Sequence, residues 1–381
     1  MRFTTDFPGG NGKLLAATEY DWGWEIVFLA ECKAGEPMPL WFNFRLEELT
    51  GTKVRLKLAN ARHCLGNPWE WDWNRPVARQ AGGDWKRVAT AESGLTRSQT
   101  LDTWFEVALE GDRLDFAFFF PYQLSDLLAT VDQTGNVFEK TIIGYSNRAR
   151  PIYRLSSDFG GTETKKPGIY VIGRQHAGEA TGSWVIDGML RRLASEEGRG
   201  LREKFTWWFV PIIDMDGVEE GFYGKDQIHN DLNRAWGPGA SRRVEVTAVR
   251  HDLEQFMRCS DAKFMFDMHA PGHAERESYF FIKAEFSETH REELRRIWSL
   301  FNGHLKENGF QEVRFHETQA GSSTSVQSGM TAALYAHQIG LNGCTFEISY
   351  QGEHDRTRSY TMDDYRALGA HLVETLAEVY G

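Results

Sequence analysis

The sequence predicts an α/β domain, built as a mixed, mostly parallel sheet with helices on both faces, preceded by a smaller antiparallel β-sandwich-like domain. Three observations carry this reading. After Pro121, apolar strand-like runs alternate with amphipathic helical stretches. Before it, short strand-like runs alternate with turns, without a long helical pattern. The chain of 381 residues is 41% hydrophobic, with 13 Trp and 25 Phe, enough to build two cores. The expected division is residues 1–122 and 123–381.

In the first part, "KVRLKLANA" (53–61) and "TWFEVALEGDRLDFAFFFPY" (103–122) read as strands, and the "GD" inside the second suggests a hairpin. A Trp-rich insert, "NPWEWDWNRP", lies between them; such clusters more often fill an interdomain core than bind a partner or carbohydrate. A linker is expected near residues 121–137. Beyond it, "GIYVIG" (168–173), "FTWWFVPII" (205–213), "KFMFDMH" (263–269), "YFFIKA" (279–284) and "CTFEISY" (344–350) are apolar on both faces, as strands covered by helices must be. The helical stretches are "TGSWVIDGMLRRLASEE", "VEVTAVRHDLEQFMRC", "REELRRIWSLFNGHLKENG" and "DDYRALGAHLVETLAEVY".

Charge and composition exclude several classes of function. Lys and Arg total 43 against 54 Asp and Glu, a net charge of -11, and no basic run is available to neutralise a phosphate backbone. Nucleic acid is not an expected partner. "MRFTTDFPGG" lacks the apolar core of a signal peptide, and no stretch approaches the roughly 18 apolar residues of a membrane span, so a cytoplasmic location is expected, without a membrane partner. Cys32, Cys64, Cys259 and Cys344 are scattered and read as reduced packing residues.

His-x-x-Glu occurs five times, so spacing alone decides nothing. His251/Glu254, His290/Glu293, His304/Glu307 and His371/Glu374 lie in charged helical segments, where they read as solvated surface pairs. His176/Glu179 instead follows the buried strand "GIYVIG" and precedes a helix, at a strand's carboxyl end where α/β sheets bind ligands. A catalytic zinc takes about three protein ligands and an open position. "KFMFDMHAPGHAERE" supplies the third, His269, at the end of another apolar strand. "CTFEISY" places Glu347 in the middle of an apolar strand, a costly position for a carboxylate without a compensating metal or function. "HNDLNRAW" gathers Asp231, Asn233 and Arg234, and a guanidinium beside an amide suits a carboxylate ligand.

Together "HAGE", "MDGV", "DLNRAW", "DMH" and "FE", in this order and spacing, resemble the zinc carboxypeptidases of the HxxE type, in particular the cytosolic carboxypeptidase branch, over roughly residues 121–381. "LWFNFRLEELTGTKVRLKLANA" and "FFFPYQLSDLL" look like that branch's accompanying N-terminal domain. The resemblance implies one zinc per chain on His176, Glu179 and His269, and Glu347 as general base and then proton donor. It further implies that Asn233 and Arg234 grip the terminal carboxylate of a peptide or protein tail, with Asp231 bonded to the outer ring N–H of His176. The same ligand set also accepts cobalt, nickel or copper.

Two departures stand out. The branch commonly carries an arginine between "DG" and "DLNR", where the wider family stabilises the oxyanion; "DGVEEGFYGKDQIHNDLNR" has none before Arg234. Lys225 is the nearest cation, with His229 and His273 as further candidates. Secretory relatives place a tyrosine on a loop about twenty residues before the base, whereas this chain has "GSSTSVQSG" there, and Tyr335, closer to the base, is assigned no role. Branch relatives often remove glutamate from acidic tails, which calls for cations, and Lys225, Arg356 and Arg358 are the candidates nearest in sequence. The expected activity is that of a metallocarboxypeptidase. The alternatives are an amidohydrolase acting on a small acylated amino acid or cell-wall peptide, and a binding module descended from a hydrolase.

Overall fold

Alternation of apolar and charged residues in Lys53–Leu58 buries Val54, Leu56 and Leu58 and turns Lys53, Arg55 and Lys57 outward, the pattern of a sheet covered on one face. The computed structural model describes the whole chain except residues 34, 66–70, 96–100, 136, 162, 228–230, 238–242, 319–328 and 353–357, and describes only the backbone of residues 72, 90–95, 101 and 102. Residues 2–117 form two five-stranded sheets. One runs Arg2–Thr4, Asn43–Glu47, Leu114–Ala117, Val77–Gln80, Lys86–Arg87, and the other Lys13–Tyr20, Gly23–Leu29, Lys53–Leu58, Leu101–Ala108, Thr90–Leu95. All neighbours are antiparallel except Gly23–Leu29 with Lys53–Leu58. Phe28 and Phe105 of the second sheet meet Phe44 and Phe116 of the first at centroid distances of 4.8 to 6.1 Å, which makes a sandwich with an aromatic core.

The hairpin expected across Gly111 and Asp112 does not form, because Leu101–Ala108 and Leu114–Ala117 belong to different sheets. The reason is burial: Leu114–Ala117 is covered on both faces and sits centrally between two partners, while Phe105 and Val107 alternate with exposed Glu106 and Ala108. The linker expected near 121–137 is likewise replaced, by helix Leu124–Gln133. Its Leu127, Thr130 and Val131 are buried, and the Gln123 N–H donates to Asp126 Oδ2 at 2.7 Å in its first turn.

The second sheet system has eight strands in the order Glu139–Tyr145, Pro151–Ser156, Thr206–Val210, Pro167–Gly173, Asp261–His269, Asn342–Glu347, Tyr279–Ile282, Arg314–Glu317. The strand from Thr206 to Val210 and the three that follow it in this order pair in parallel, as their two-sided apolar character requires. Tyr279–Ile282 runs antiparallel to Asn342–Glu347 and parallel to Arg314–Glu317. Helix Val244–Cys259 covers the face of Tyr170, the register partner of Met265, through Phe256 and Asp252. Helix Thr181–Ala194 packs its Gly182 against Met268, three residues along and so on the opposite face. Helices therefore cover both faces, as expected.

Helices Thr181–Ala194 and Met362–Tyr380 cross at glycines: a Cβ on Gly188 would stand 1.9 Å from the Arg366 carbonyl oxygen, and one on Gly369 would stand 2.0 Å from that of Val185. The sandwich meets this α/β unit through aromatic and polar groups. Trp71 stacks on His273 at 4.4 Å, and Arg87 donates to the carbonyls of Tyr350 at 2.7 Å and Tyr360 at 3.0 and 3.1 Å. Trp71 and Trp73 are buried, in keeping with a packing role, and Trp69 lies outside the described residues. Gly188→Ala is predicted to lower stability by about 1–3 kcal/mol through overpacking, read from the urea midpoint. An unchanged midpoint would contradict so close a helix contact.

Candidate metal centre

Three strand ends and one turn build the site. Strand Pro167–Gly173 stops at Gly173, and Arg174 takes up a left-handed conformation (φ 56) that turns the chain. Buried Arg174 braces this turn: its Nε donates to the Ala177 carbonyl at 2.8 Å and its Nη1 to that of Tyr122 at 2.9 Å. Helix Thr181–Ala194 begins just beyond Glu179. His269 is the last residue of its strand, in register with Glu347, which is in turn in register with Tyr279. The side chains of His269, Glu347 and Tyr279 thus share one face in a row across three strands. Glu347 ends its strand rather than sitting in the middle, as the sequence had suggested, so its carboxylate reaches the edge where His176, Glu179 and His269 gather.

His176, Glu179 and His269 come together as expected, all buried. His176 Nδ1 lies 2.9 Å from Glu179 Oε1, His269 Nδ1 lies 2.7 Å from Glu179 Oε2, and the two Nδ1 atoms are 3.2 Å apart. Tetrahedral ligands about 2.0–2.1 Å from zinc stand roughly 3.3 Å from one another, so the donor set fits the ion. Among the described residues this is the one such group of three His, Cys, Asp or Glu side chains. His290, expected on a solvated helix face, is instead buried: it shares the inner face of helix Glu288–Glu307 with Leu294, Ile297 and Phe301, and its Nε2 lies 2.9 Å from the Gly343 carbonyl oxygen.

The outer nitrogens are held as well. His176 Nε2 lies 3.1 Å from both oxygens of Asp231, which also accepts the Asp226 and Asn233 N–H groups at 2.8 and 2.7 Å. His269 Nε2 lies 3.0 Å from Asp267 Oδ1, and Gln175 Nε2 donates to both Asp267 oxygens at 2.8 Å while its Oε1 accepts from Trp236 at 2.7 Å. Asp267 was missed in the sequence, although Asp-x-His on a strand puts both side chains on one face. Carboxylates behind both imidazoles fix the tautomers that aim Nδ1 inward.

Electrostatics match this arrangement. Burial opposes charge on His176, yet Glu179 and Asp231 lift its imidazole up to about 9. Burial also opposes charge on His269, and Asp267 and Glu179 raise it well above the ordinary histidine value. Burial pushes the Glu179 carboxyl up, but His176, Lys225 and His269 hold it well below the usual range. Without a cation the cluster therefore retains protons, which metal binding displaces. Burial raises Glu347, with Lys225 and His269 pulling it partly back. Its Oε2 is shielded from solvent with no hydrogen-bond partner among the described residues.

Lys225 Nζ reaches Glu179 Oε1 at 3.4 Å and so stands beside the candidate ligand cluster. Asn233 Oδ1 accepts the Ala332 N–H at 3.1 Å, and its Nδ2 lies 3.2 Å from His269 Nε2, which is committed to Asp267, so the amide hydrogens stay available to a ligand. Arg234 is partly exposed and donates to the Asn233 carbonyl at 2.9 Å, with no carboxylate paired to it among the described residues. His273 sits apart, stacked on Trp71 and bonded through Nδ1 to Asn74 at 2.9 Å; burial pushes it down to about 3, so it is neutral. Tyr335 donates to Glu254 at 3.0 Å and serves packing. Arg358 pairs with Asp364 and lies over Phe310, so it is engaged with the last helix. His229, Arg356 and most of "GSSTSVQSG" lie outside the described residues. Sequence reasoning also missed Lys283. It continues the alternation of Tyr279 and Phe281 on the Glu347 side, lies 4.4 Å from the Phe281 centroid, and feels the charges of Arg234 and Glu347.

Two imidazoles and a carboxylate on one cation site, beside a carboxylate of raised pKa at the strand ends of an α/β sheet, define a mononuclear metallohydrolase class. The zinc carboxypeptidase family profile matches residues 124–380, and that of the cytosolic carboxypeptidase N-terminal domain matches residues 3–119. The chain belongs to the zinc carboxypeptidase family, and the resemblance read from the motifs is borne out. It is 30% identical over 238 residues to an uncharacterized protein of Zymomonas mobilis, covering 60% of this chain and 58% of that one. It is 25% identical over 320 residues to cytosolic carboxypeptidase 2 of Xenopus tropicalis, covering 79% of this chain and 32% of that protein. These matches thus span between 32% and 58% of the relatives' own lengths. A metallo-carboxypeptidase from Burkholderia cenocepacia shares the fold, with a TM-score of 0.82 at 22% identity over 99% of this chain and 98% of that one.

Asp267→Asn is predicted to weaken zinc binding about 10- to 100-fold, the usual effect of removing a carboxylate behind a metal-bound histidine. Chelator competition measures it, and unaltered affinity would remove Asp267 from the support of His269.

Proposed function

We propose that the chain is a zinc-dependent metallocarboxypeptidase that hydrolyses the C-terminal peptide bond of peptides or protein tails. The observation that carries this reading is the Glu347 oxygen, without a hydrogen-bond partner among the described residues, beside the His176, Glu179 and His269 cluster, with the Arg234 guanidinium, paired to no carboxylate among the described residues, in electrostatic range of Lys225 and Asp231. Zinc on these ligands supplies Lewis acidity, polarising a carbonyl and making water acidic near neutral pH. Glu347 accepts the proton of the attacking water at its carboxylate and delivers it to the leaving amine. Its raised pKa suits both directions of transfer.

Arg234 binds the substrate's terminal carboxylate, assisted by the Asn233 amide, which limits cleavage to the last residue. Asp231 and Asp267 hold the rings of His176 and His269 in place. Lys225 faces the developing negative charge on the carbonyl oxygen, in the role of the family's arginine but as a point charge. Lys283, with no ion pair among the described residues, supports preference for an acidic final side chain. We take residues 1–122 and 123–381 as the two domains. Cytoplasmic location is part of the proposal and rests on the kinship with cytosolic carboxypeptidases; no helix among the described residues is long and apolar enough to cross a membrane.

Mass spectrometry of a peptide library varied at its last residue is expected to show loss of single C-terminal residues, with acidic ones favoured. Glu347→Gln is expected to lower turnover by at least about 100-fold with zinc retained, and Lys283→Ala to raise KM for acidic termini selectively. Intact peptides alongside hydrolysis of an acylated amino acid would replace the proposal with an amidohydrolase.

A further inference from the structure

Glu36 belongs to the N-terminal sandwich yet is only 3% exposed, and two of the three N–H groups its carboxylate accepts come from backbone of the α/β unit. Its Oε2 accepts the Gly224 N–H at 2.8 Å, and its Oε1 accepts those of Tyr223 at 3.3 Å and Lys33 at 3.0 Å. Among the described residues no cation pairs with it, since Lys33 Nζ donates instead to the carbonyls of Gly10 and Glu220 at 2.9 and 2.7 Å. Burial outweighs the three N–H donors and pushes Glu36 up to about 7. A buried carboxylate held this way is expensive to place, and a mere domain contact does not require one.

The segment it holds runs directly into the metal centre. The Tyr223 carbonyl accepts the Gly178 N–H at 2.8 Å, one residue before the ligand Glu179. Residue 225, next in the chain after Gly224, is the lysine whose ammonium reaches Glu179. The two segments also pack closely on one another. A Cβ on Gly224 (φ +92) would stand 2.7 Å from the Ala177 nitrogen and 3.2 Å from the His176 Cα, and one on Gly178 would stand 2.5 Å from the Tyr223 ring. Two glycines allow this approach, and the segment has little room to shift without moving the ligand turn.

We infer that Glu36 is a positioning residue through which the N-terminal domain fixes Lys225 and the Gly178–Glu179 turn, so that the metal centre is complete only with the sandwich docked. The kinetic half of this inference rests on the proposed carboxypeptidase reading; the metal-binding half does not.

The test uses the full-length chain with Glu36→Ala, Glu36→Gln and, as a control on the same interface, Lys33→Ala. Zinc affinity by chelator competition, thermal midpoint and steady-state kinetics are measured together. Glu36→Ala is expected to weaken zinc about tenfold and to lower kcat about tenfold or more with KM within about twofold. Glu36→Gln, which keeps one acceptor for Gly224 but turns an amide NH2 toward other donors, falls between. Lys33→Ala is expected to keep zinc affinity and kcat whatever it does to the midpoint. Wild-type zinc affinity and kcat in folded Glu36→Ala would overturn the inference, as would equal losses in Lys33→Ala at equal loss of stability. Should Glu36→Ala fail to fold, wild-type behaviour of Glu36→Gln overturns it. If the parent cleaves no peptide, the proposed function fails and zinc affinity alone decides this inference.

Discussion

Two imidazole nitrogens 3.2 Å apart, with one oxygen of the Glu179 carboxylate against each, are the contact on which the rest of the structure depends. Such a cluster inside an apolar sheet is unfavourable unless a cation sits among the donors and every outer atom is bonded. The surroundings meet this demand one atom at a time. Asp231 and Asp267 stand behind the rings, Gln175 and Trp236 secure Asp267, and the Ala270 N–H bonds Glu179 at 3.0 Å. Strand register does the remainder, setting His269, Glu347 and Tyr279 side by side at the edge of the sheet.

The sandwich is part of the same construction. Arg87 caps carbonyls of Tyr360 and of Tyr350, close beyond Glu347, Trp71 covers His273, and Glu36 grips the backbone next to Lys225. These contacts are polar or aromatic, with Trp71 and Glu36 buried and Arg87 partly so. A domain that merely accompanied the α/β unit would make a more exposed and less specific interface.

Much of this was legible in the sequence because strong periodicity and burial coincide. "GIYVIG", "KFMFDMH" and "CTFEISY" are apolar on both faces and became adjacent parallel strands, and the strand-end positions of His176 and His269 followed from them. What escaped had weak local signals. Glu139–Tyr145 and the short Arg314–Glu317 are largely exposed sheet-edge strands, and Leu124–Gln133 hides a small buried stripe among polar residues. The hairpin failed because a turn signal says nothing about which sheet each arm joins. His290 looked like a surface residue because it precedes a charged helical run, although its four-residue spacing from Leu294 marks the inner face. Asp267 and Lys283 needed only the two-residue period, and Glu36 needed tertiary structure, since nothing within its own segment points to Gly224.

X-ray absorption at the zinc edge of the purified full-length protein tests the central claim most directly. The account predicts one zinc per chain bound by two imidazole nitrogens and carboxylate oxygen, with one imidazole lost from the spectrum in His269→Ala. A spectrum with sulfur ligands, or one unchanged by His269→Ala, would contradict it.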